Sequence, residues 1–129
     1  MQVENIDLSS PIIGQHLDRN DTLTFAGTAT VKAFTILARS TATNKLVPYV
    51  KGGVTAGNGI PGWILLHDSS RTGAGDMPVV VCVGKFDVGG LIIAADGGAT
   101  NIDAAVVDAL KDAGIYTMKI NNLSVTDNQ

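Results

Sequence analysis

The run from His67 to Ser70 contains the side-chain types of a hydrolase triad. His67 could serve as the base, Asp68 could orient it, and Ser69 or Ser70 could attack a carbonyl carbon. The members of such a triad come from separate elements whose side chains converge, which neighbours in sequence rarely achieve. The only other histidine, His16, is far away along the chain. The run is therefore interpreted as a polar strand end, and no catalytic residue is predicted.

Cys82 is the single cysteine and stands in the apolar run 79–83. A cysteine in such a strand packs as a small hydrophobic side chain and is chemically inert. One cysteine cannot form an intramolecular disulfide. Together with two distant histidines it also makes a poor zinc site, because structural zinc requires four clustered ligands. We predict neither a metal nor a cofactor.

The segment from Gly57 to Gly62 reads Gly-Asn-Gly-Ile-Pro-Gly and matches the pattern G-x-G-x-x-G. In a dinucleotide site this pattern follows a strand and opens a helix, so that the pyrophosphate meets the helix N-terminus. Here Pro61 and a strand containing Trp63 follow instead. The segment is thus a glycine-rich loop without a predicted nucleotide.

Composition restricts the classes of partner. The chain has 129 residues, enough for one domain, and 45% of them are hydrophobic. Charged residues make up 16%, against about 25% in an average soluble domain, so part of the surface is expected to be buried against partners. The net charge of −3 and the absence of a Lys or Arg run predict binding to neither nucleic acid nor membrane. The start Met1-Gln2-Val3-Glu4 does not resemble a signal peptide, which predicts a protein made in the cytoplasm.

The order of patterns predicts an α+β fold: a small β-rich domain with a bent antiparallel or barrel-like sheet, one C-terminal helix and an extended N-terminal arm. Residues 1–22 are predicted to form the arm, because their apolar residues keep no period and Pro11 excludes a helix. Residues 23–120 show strand patterns separated by turn clusters, and residues 121–129 form a polar tail.

The one predicted helix covers about residues 102–113. Thr100 or Asn101 is the expected N-cap. Val106 and Leu110 share an apolar face at helical spacing, and Gly114 supplies the left-handed stop.

Several segments, in the same order and spacing, resemble the head decoration proteins of tailed bacteriophages, the group that includes the lambda head protein D. They cover about two thirds of the chain: 27–31, the turn and strand 40–47, the glycine loop into 61–65, the strand 79–86, and 110–115. The resemblance implies a mixed β domain, usually a trimer, that sits on the outside of an icosahedral head and strengthens it. It also implies an N-terminal arm that orders on the capsid.

The partners expected from this resemblance are the major capsid protein and further copies of the chain, as a homotrimer or a dimer, at the outer surface of the virion. For capsid contact we predict four apolar residues of the arm, namely Ile6, Leu8, Ile12 and Ile13. For self-association we predict Trp63, Tyr49 and Asn58, with the loops 51–61 and 68–76.

The alternative is a module that binds a small ligand or carbohydrate at the glycine-rich loop beside Trp63. Sugar platforms usually use several aromatic faces, whereas the aromatic residues of this chain are few and widely spread. An enzyme would instead need convergent polar groups around His67 or Cys82.

Overall fold

The structure of the protein, a computed structural model, describes residues 11–119. In that stretch the chain forms eight strands, a short 3-10 helix and one α-helix. In chain order these are β1 (Ile12–Phe25), β2 (Ala29–Val31), β3 (Ile36–Arg39), β4 (Leu46–Pro48), β5 (Pro61–Leu65), β6 (Ser69–Arg71), β7 (Gly75–Asp87), the 3-10 helix (Val88–Gly90), α1 (Ala104–Asp112) and β8 (Tyr116–Met118).

Five of these strands close into a barrel. Their order is β1, β4, β3, β5 and β7, and β7 pairs again with β1. The β1–β4 pairing is parallel, and the other pairings of the barrel are antiparallel. β8 joins β7 in parallel, while β2 and β6 form a separate two-stranded sheet. The predicted α+β class, with a barrel-like sheet and one C-terminal helix, is confirmed.

The pairing of β1 with β7 is the longest in the barrel. It runs from Ile12 opposite Phe86 to Phe25 opposite Gly75, with a bulge between Ile13 and His16. The bulge contains a glycine at φ +69°, a conformation that costs a residue without Cβ little. Beyond the bulge, Gly84 faces His16 so closely that an added Cβ would lie 2.9 Å from the Cβ of His16. This register therefore requires glycine at position 84.

The boundary of the predicted arm differs from the structure. Residues from Ile12 onwards belong to β1 and are paired with β7, so the predicted arm 1–22 overlaps a strand of the barrel. The alternation that would have indicated this strand is interrupted by the bulge and by the consecutive exposed residues 17–20. Ile6 and Leu8 lie outside the described residues, and so does the predicted tail 121–129.

The core consists of two clusters of buried side chains on opposite faces of the barrel sheet, since consecutive residues of β3, β5 and β7 belong to different clusters. The first lies under the helix and contains Ile36, Ala38, Tyr49, Ile64, Cys82, Phe86, Leu91, Ile93, Val106, Leu110 and Ile115. The second contains Leu23, Phe25, Leu37, Leu46, Leu65, Val79 and Val81. β7 contributes to both clusters, because Val79 and Val81 point to one face and Cys82 and Phe86 to the other.

The helix α1 is slightly shorter than predicted. Its N-cap is Asp103, whose carboxylate accepts a hydrogen bond from the Val106 N–H at 3.1 Å, and not Thr100 or Asn101. Val106 and Leu110 are buried as expected. Gly114 has φ +86° directly after the C-cap Ala113, as predicted for the stop.

Asp21 of β1 forms an ion pair with Arg39 of β3, a strand that is not adjacent to β1 in the barrel. Its side chain is 9% exposed and forms ion pairs with Arg39 of β3 and with Arg19 of its own strand. Burial alone would raise the pKa of Asp21, but hydrogen bonds from Arg39 and from the Thr22 N–H, with the nearby charges of Arg39 and Arg19, hold that pKa below its usual value. A carboxyl with a lowered pKa in the folded state stabilises the fold only while it is ionised.

We expect Asp21→Asn to lower the free energy of unfolding at about pH 7 by about 1–2 kcal/mol, because charged hydrogen bonds to Arg39 are lost. The contribution is present above the unfolded pKa of about 3.9 and disappears as the pH falls through the lowered folded value. Urea unfolding at about pH 7 and at about pH 2, where the carboxyl becomes protonated, measures the difference. The exposed Asp108→Asn is the control. A difference of equal size at both pH values would contradict this assignment.

Candidate functional site

The predicted capsid-contact residues that the structure describes point to opposite sides of the sheet. Ile12 lies opposite the fully buried Phe86 and packs against the first core cluster. Ile13, the next residue, lies opposite the exposed Lys85 on the other face of the sheet. Ile12 and Ile13 are both half-buried, and Ile12 packs against the first core cluster; the capsid contact expected of them stays a prediction.

Ile13 belongs to an apolar surface that the pairing of three strands creates. Residues directly opposite each other in a ladder share one face of the sheet. Lys85 of β7 lies between Ile13 of β1 and Tyr116 of β8. On this side Leu17 is 74% exposed, Tyr116 52% and Met118 46%. We call Ile13, Leu17, Tyr116 and Met118 the outer face.

A groove of about 710 Å³ lies in the outer face. One side is the bulged segment 14–17 of β1, the floor is the segment 83–85 of β7, and Gly114 and Tyr116 form the other side. Three glycines line it, which leaves backbone accessible between the apolar side chains. Such a groove suits an extended, partly apolar polypeptide segment better than a compact charged ligand.

Two side chains of β1 near the groove, His16 and Arg19, lie close to acidic neighbours, although the buried His16 Nδ1 makes no hydrogen bond among the described residues. His16 Nδ1 lies 3.2 Å from Asp18 Oδ1 on the same strand. Arg19 lies 3.2 Å from Asp21, and its guanidinium stands over the ring of Trp63 at 4.7 Å from the centroid. Arg19 thus covers one face of Trp63 in a cation–π contact. This argues against Trp63 as a stacking platform for a sugar.

The residues predicted for self-association are not brought together as one surface. Tyr49 is 4% exposed and packs in the first core cluster, so it is not available to another copy, contrary to the expectation. Trp63 is half-buried and packs against the second cluster. Asn58 holds the loop: its Oδ1 accepts from the Thr55 N–H at 3.2 Å, and its carbonyl accepts from the Val50 N–H at 2.9 Å.

The loop that Asn58 shapes presents a second apolar surface. Val54 is 95% exposed, Ile60 69% and Val50 41%, although backbone hydrogen bonds hold the loop in place. We call Val50, Val54 and Ile60 the loop patch. The sequence predicted the loop but not its apolar tip, and the signal that could have found it is a valine and an isoleucine among glycines and polar residues.

The residue types that suggested catalysis have structural partners. The Ser69 hydroxyl donates a hydrogen bond to the His67 carbonyl at 3.1 Å, and Asp68 accepts one from the Ala33 N–H at 2.7 Å. These bonds fix the turn between β5 and β6 and do not form a relay from acid to base to nucleophile.

Metal ligands and membrane spans are absent from the part of the chain that the structure describes. Between residues 11 and 119, no group of three or more His, Cys, Asp or Glu side chains could hold a metal ion. In the same stretch, no helix has the length and apolar character needed to cross a membrane.

Comparison with known proteins matches most of the chain to one family. The family model described as bacteriophage lambda head decoration protein D matches residues 8–115. The matched range contains all of the barrel and α1, and it ends just before β8. No curated protein matches the chain.

Cys82 provides a test of the inert-thiol interpretation. Its side chain is fully buried, and burial, with a smaller effect of Asp18, raises the pKa of the thiol to about 12. Since only the thiolate reacts, we expect iodoacetamide at about pH 8 to leave Cys82 unmodified in the folded protein and to modify it in urea. Mass spectrometry measures the fraction modified. Rapid modification of the folded protein would point to an accessible, activated thiol.

Proposed function

This chain belongs to the bacteriophage lambda head decoration protein D family, and we propose that it binds the outer surface of an icosahedral phage head and clamps neighbouring major capsid subunits. The family supports a capsid decoration role in the virion. The observation that carries the proposal is the family match over residues 8–115. In this proposal the role is mechanical and needs no catalytic residue, cofactor or metal.

The proposed capsid contact combines the outer face with the segment before Pro11. Pro11 is buried against Gly90, and its carbonyl accepts a hydrogen bond from the Asp87 N–H at 2.7 Å. This bond anchors the chain at the end of β7, next to Met118, which is paired with Asp87 on the other side. Pro11, where the described chain begins, therefore lies beside the outer face.

A segment that starts at Pro11 is long enough to contact a neighbouring capsid subunit. About ten extended residues span roughly 33–36 Å, which is more than the width of a small domain's contact patch. Ile6 and Leu8 of this segment and Ile13 of the outer face would then contribute apolar area to one continuous surface. A standard interface needs about 800 Å² on each partner, and burial of apolar area stabilises it by about 25 cal/mol per Å².

For contact between copies we propose the loop patch in place of Tyr49. Val54 and Ile60 are exposed apolar side chains on a hydrogen-bonded loop, so binding them orders few additional groups. Asn58 supports this contact by shaping the loop, and Trp63 remains a neighbouring candidate. A homotrimer would use this contact heterologously around a three-fold axis, and a dimer would use it isologously.

We expect deletion of residues 2–10 to abolish binding to decoration-free heads of the same phage while leaving the thermal midpoint of the protein unchanged. The described fold begins at Pro11, so the deletion spares every contact reported above. Co-sedimentation with expanded heads measures binding, and circular dichroism measures folding. Undiminished binding by a folded deletion variant would refute the role of the arm.

We expect Leu17→Asp to weaken head binding about tenfold or more, because a charge would be buried in the contact in place of an apolar side chain. Thr43→Asp is the matched control. Thr43 is exposed in the turn between β3 and β4, at the end of the barrel far from Ile13. Equal affinity of the two variants would remove the outer face from the contact.

A further inference from the structure

β8 is an open edge of the barrel sheet among residues 11–119, and the chain continues directly from it. Each of the five barrel strands has a strand partner on both sides, although β1 meets β4 only at Leu23 opposite Leu46. β8 pairs only with β7. The unpaired side of such a strand presents main-chain donors and acceptors to any extended polypeptide.

β8 lacks the residues that usually prevent another strand from pairing with an open edge. Its residues are Tyr116, Thr117 and Met118, without a charge or a proline. Tyr116 and Met118 alternate on the outer face and are about half exposed, whereas Thr117 points the other way and is more buried. The groove beside Tyr116 continues the apolar surface towards β1. A strand that covered this edge would therefore bury apolar surface as well as pair the backbone.

The sequence after Lys119 has the pattern of such a strand. It reads Ile-Asn-Asn-Leu-Ser-Val-Thr over residues 120–126, which lie outside the described residues. Asparagine tolerates the left-handed conformations of a tight hairpin turn, so Asn121 and Asn122 fit its two central positions. The apolar residues Leu123 and Val125 then follow with the period of two that a strand requires.

We propose that residues 123–126 bind along the open edge of β8 in the same copy, antiparallel to it, after a two-residue turn at Asn121-Asn122. This register places Val125 opposite Met118 and Leu123 opposite Ile120. Both pairs face the outer side, where Met118 is 46% exposed. On the other side, Thr126 lies opposite Thr117, a cross-strand pair of hydroxyl side chains.

The same copy is favoured over a neighbour by connectivity. A two-residue link holds the segment next to β8 at an effective concentration in the millimolar range or above. A segment from another copy would lose translational and rotational freedom on binding. In this register Asp127 would lie opposite Tyr116, whose other neighbour in the ladder is Lys85. The opposite charges of Asp127 and Lys85 would then lie on the same face of the sheet, on either side of Tyr116.

The consequence is a wider outer face without an exposed strand edge. The added segment contributes two apolar side chains to the surface and removes a template for edge-to-edge pairing between free copies. The segment lies beyond the range matched by the family, so the inference concerns this chain. It does not depend on head binding, and its test can fail independently of the proposed function.

A register-specific disulfide tests the proposal. Met118→Cys combined with Val125→Cys puts two thiols directly opposite each other, at the Cα separation that a disulfide accepts. Met118→Cys combined with Thr126→Cys is the control, because position 126 faces the opposite side. The native Cys82 is fully buried and does not compete. Dilute oxidation followed by mass spectrometry measures the rate at which the intrachain bond forms.

We expect the 118/125 pair to close at least about tenfold faster than the 118/126 pair, at a rate independent of protein concentration. Equal rates would show that the segment has no fixed register and would overturn the proposal. Disulfide-linked dimers that increase with protein concentration would overturn it too, because the segment would then bind a neighbouring copy.

Discussion

The antiparallel pairing of β1 with β7 is the interaction on which the rest of the structure depends. It closes the ring of five strands, in which β1 meets β4 at Leu23 opposite Leu46. β7 also carries β5 and β8 on its other side and contributes side chains to both core clusters. Weakening this pairing would therefore open the barrel, expose side chains of both core clusters and displace β8.

The same pairing creates the candidate contact surface. The bulge in β1 opens the groove, and the alternation along β7 turns Phe86 into the core while Lys85 stays on the surface. Pro11 is held at the end of this ladder by its hydrogen bond to Asp87. Consequently the segment that precedes the barrel and the exposed apolar side chains of β8 share one end of the molecule.

Local sequence patterns predicted which helices and strands exist better than they predicted where each one begins and ends. The apolar run 79–83, the Ser40–Asn44 turn and the helix with its Gly114 stop were recognisable because each is determined by neighbouring residues. The extent of β1 was not, since its exposed stretch and bulge hide the alternation, and only its partner β7 makes it a strand. The N-cap was misassigned because Asp103 competes with Thr100 and Asn101, and the geometry of the first turn decides between them.

Site residues were harder to predict than the fold. Ile12 and Ile13 are equally apolar in the sequence, and the register with β7 decides which one packs against the first core cluster. Tyr49 has the composition of an interface residue but fills the first cluster, and Tyr116, which is half exposed, was not selected. Exposure depends on contacts between residues distant in the chain, so it does not follow from local patterns.

Electron cryomicroscopy of decorated heads is the most direct test of the central claim. Fitting the barrel into the added density would show which side faces the capsid shell. The account predicts that the outer face and the Pro11 end of β1 lie against the capsid, with continuous density running from Pro11 onto the major capsid protein. Attachment through the loop patch or through the β3–β4 turn, with the outer face directed to solvent, would contradict it.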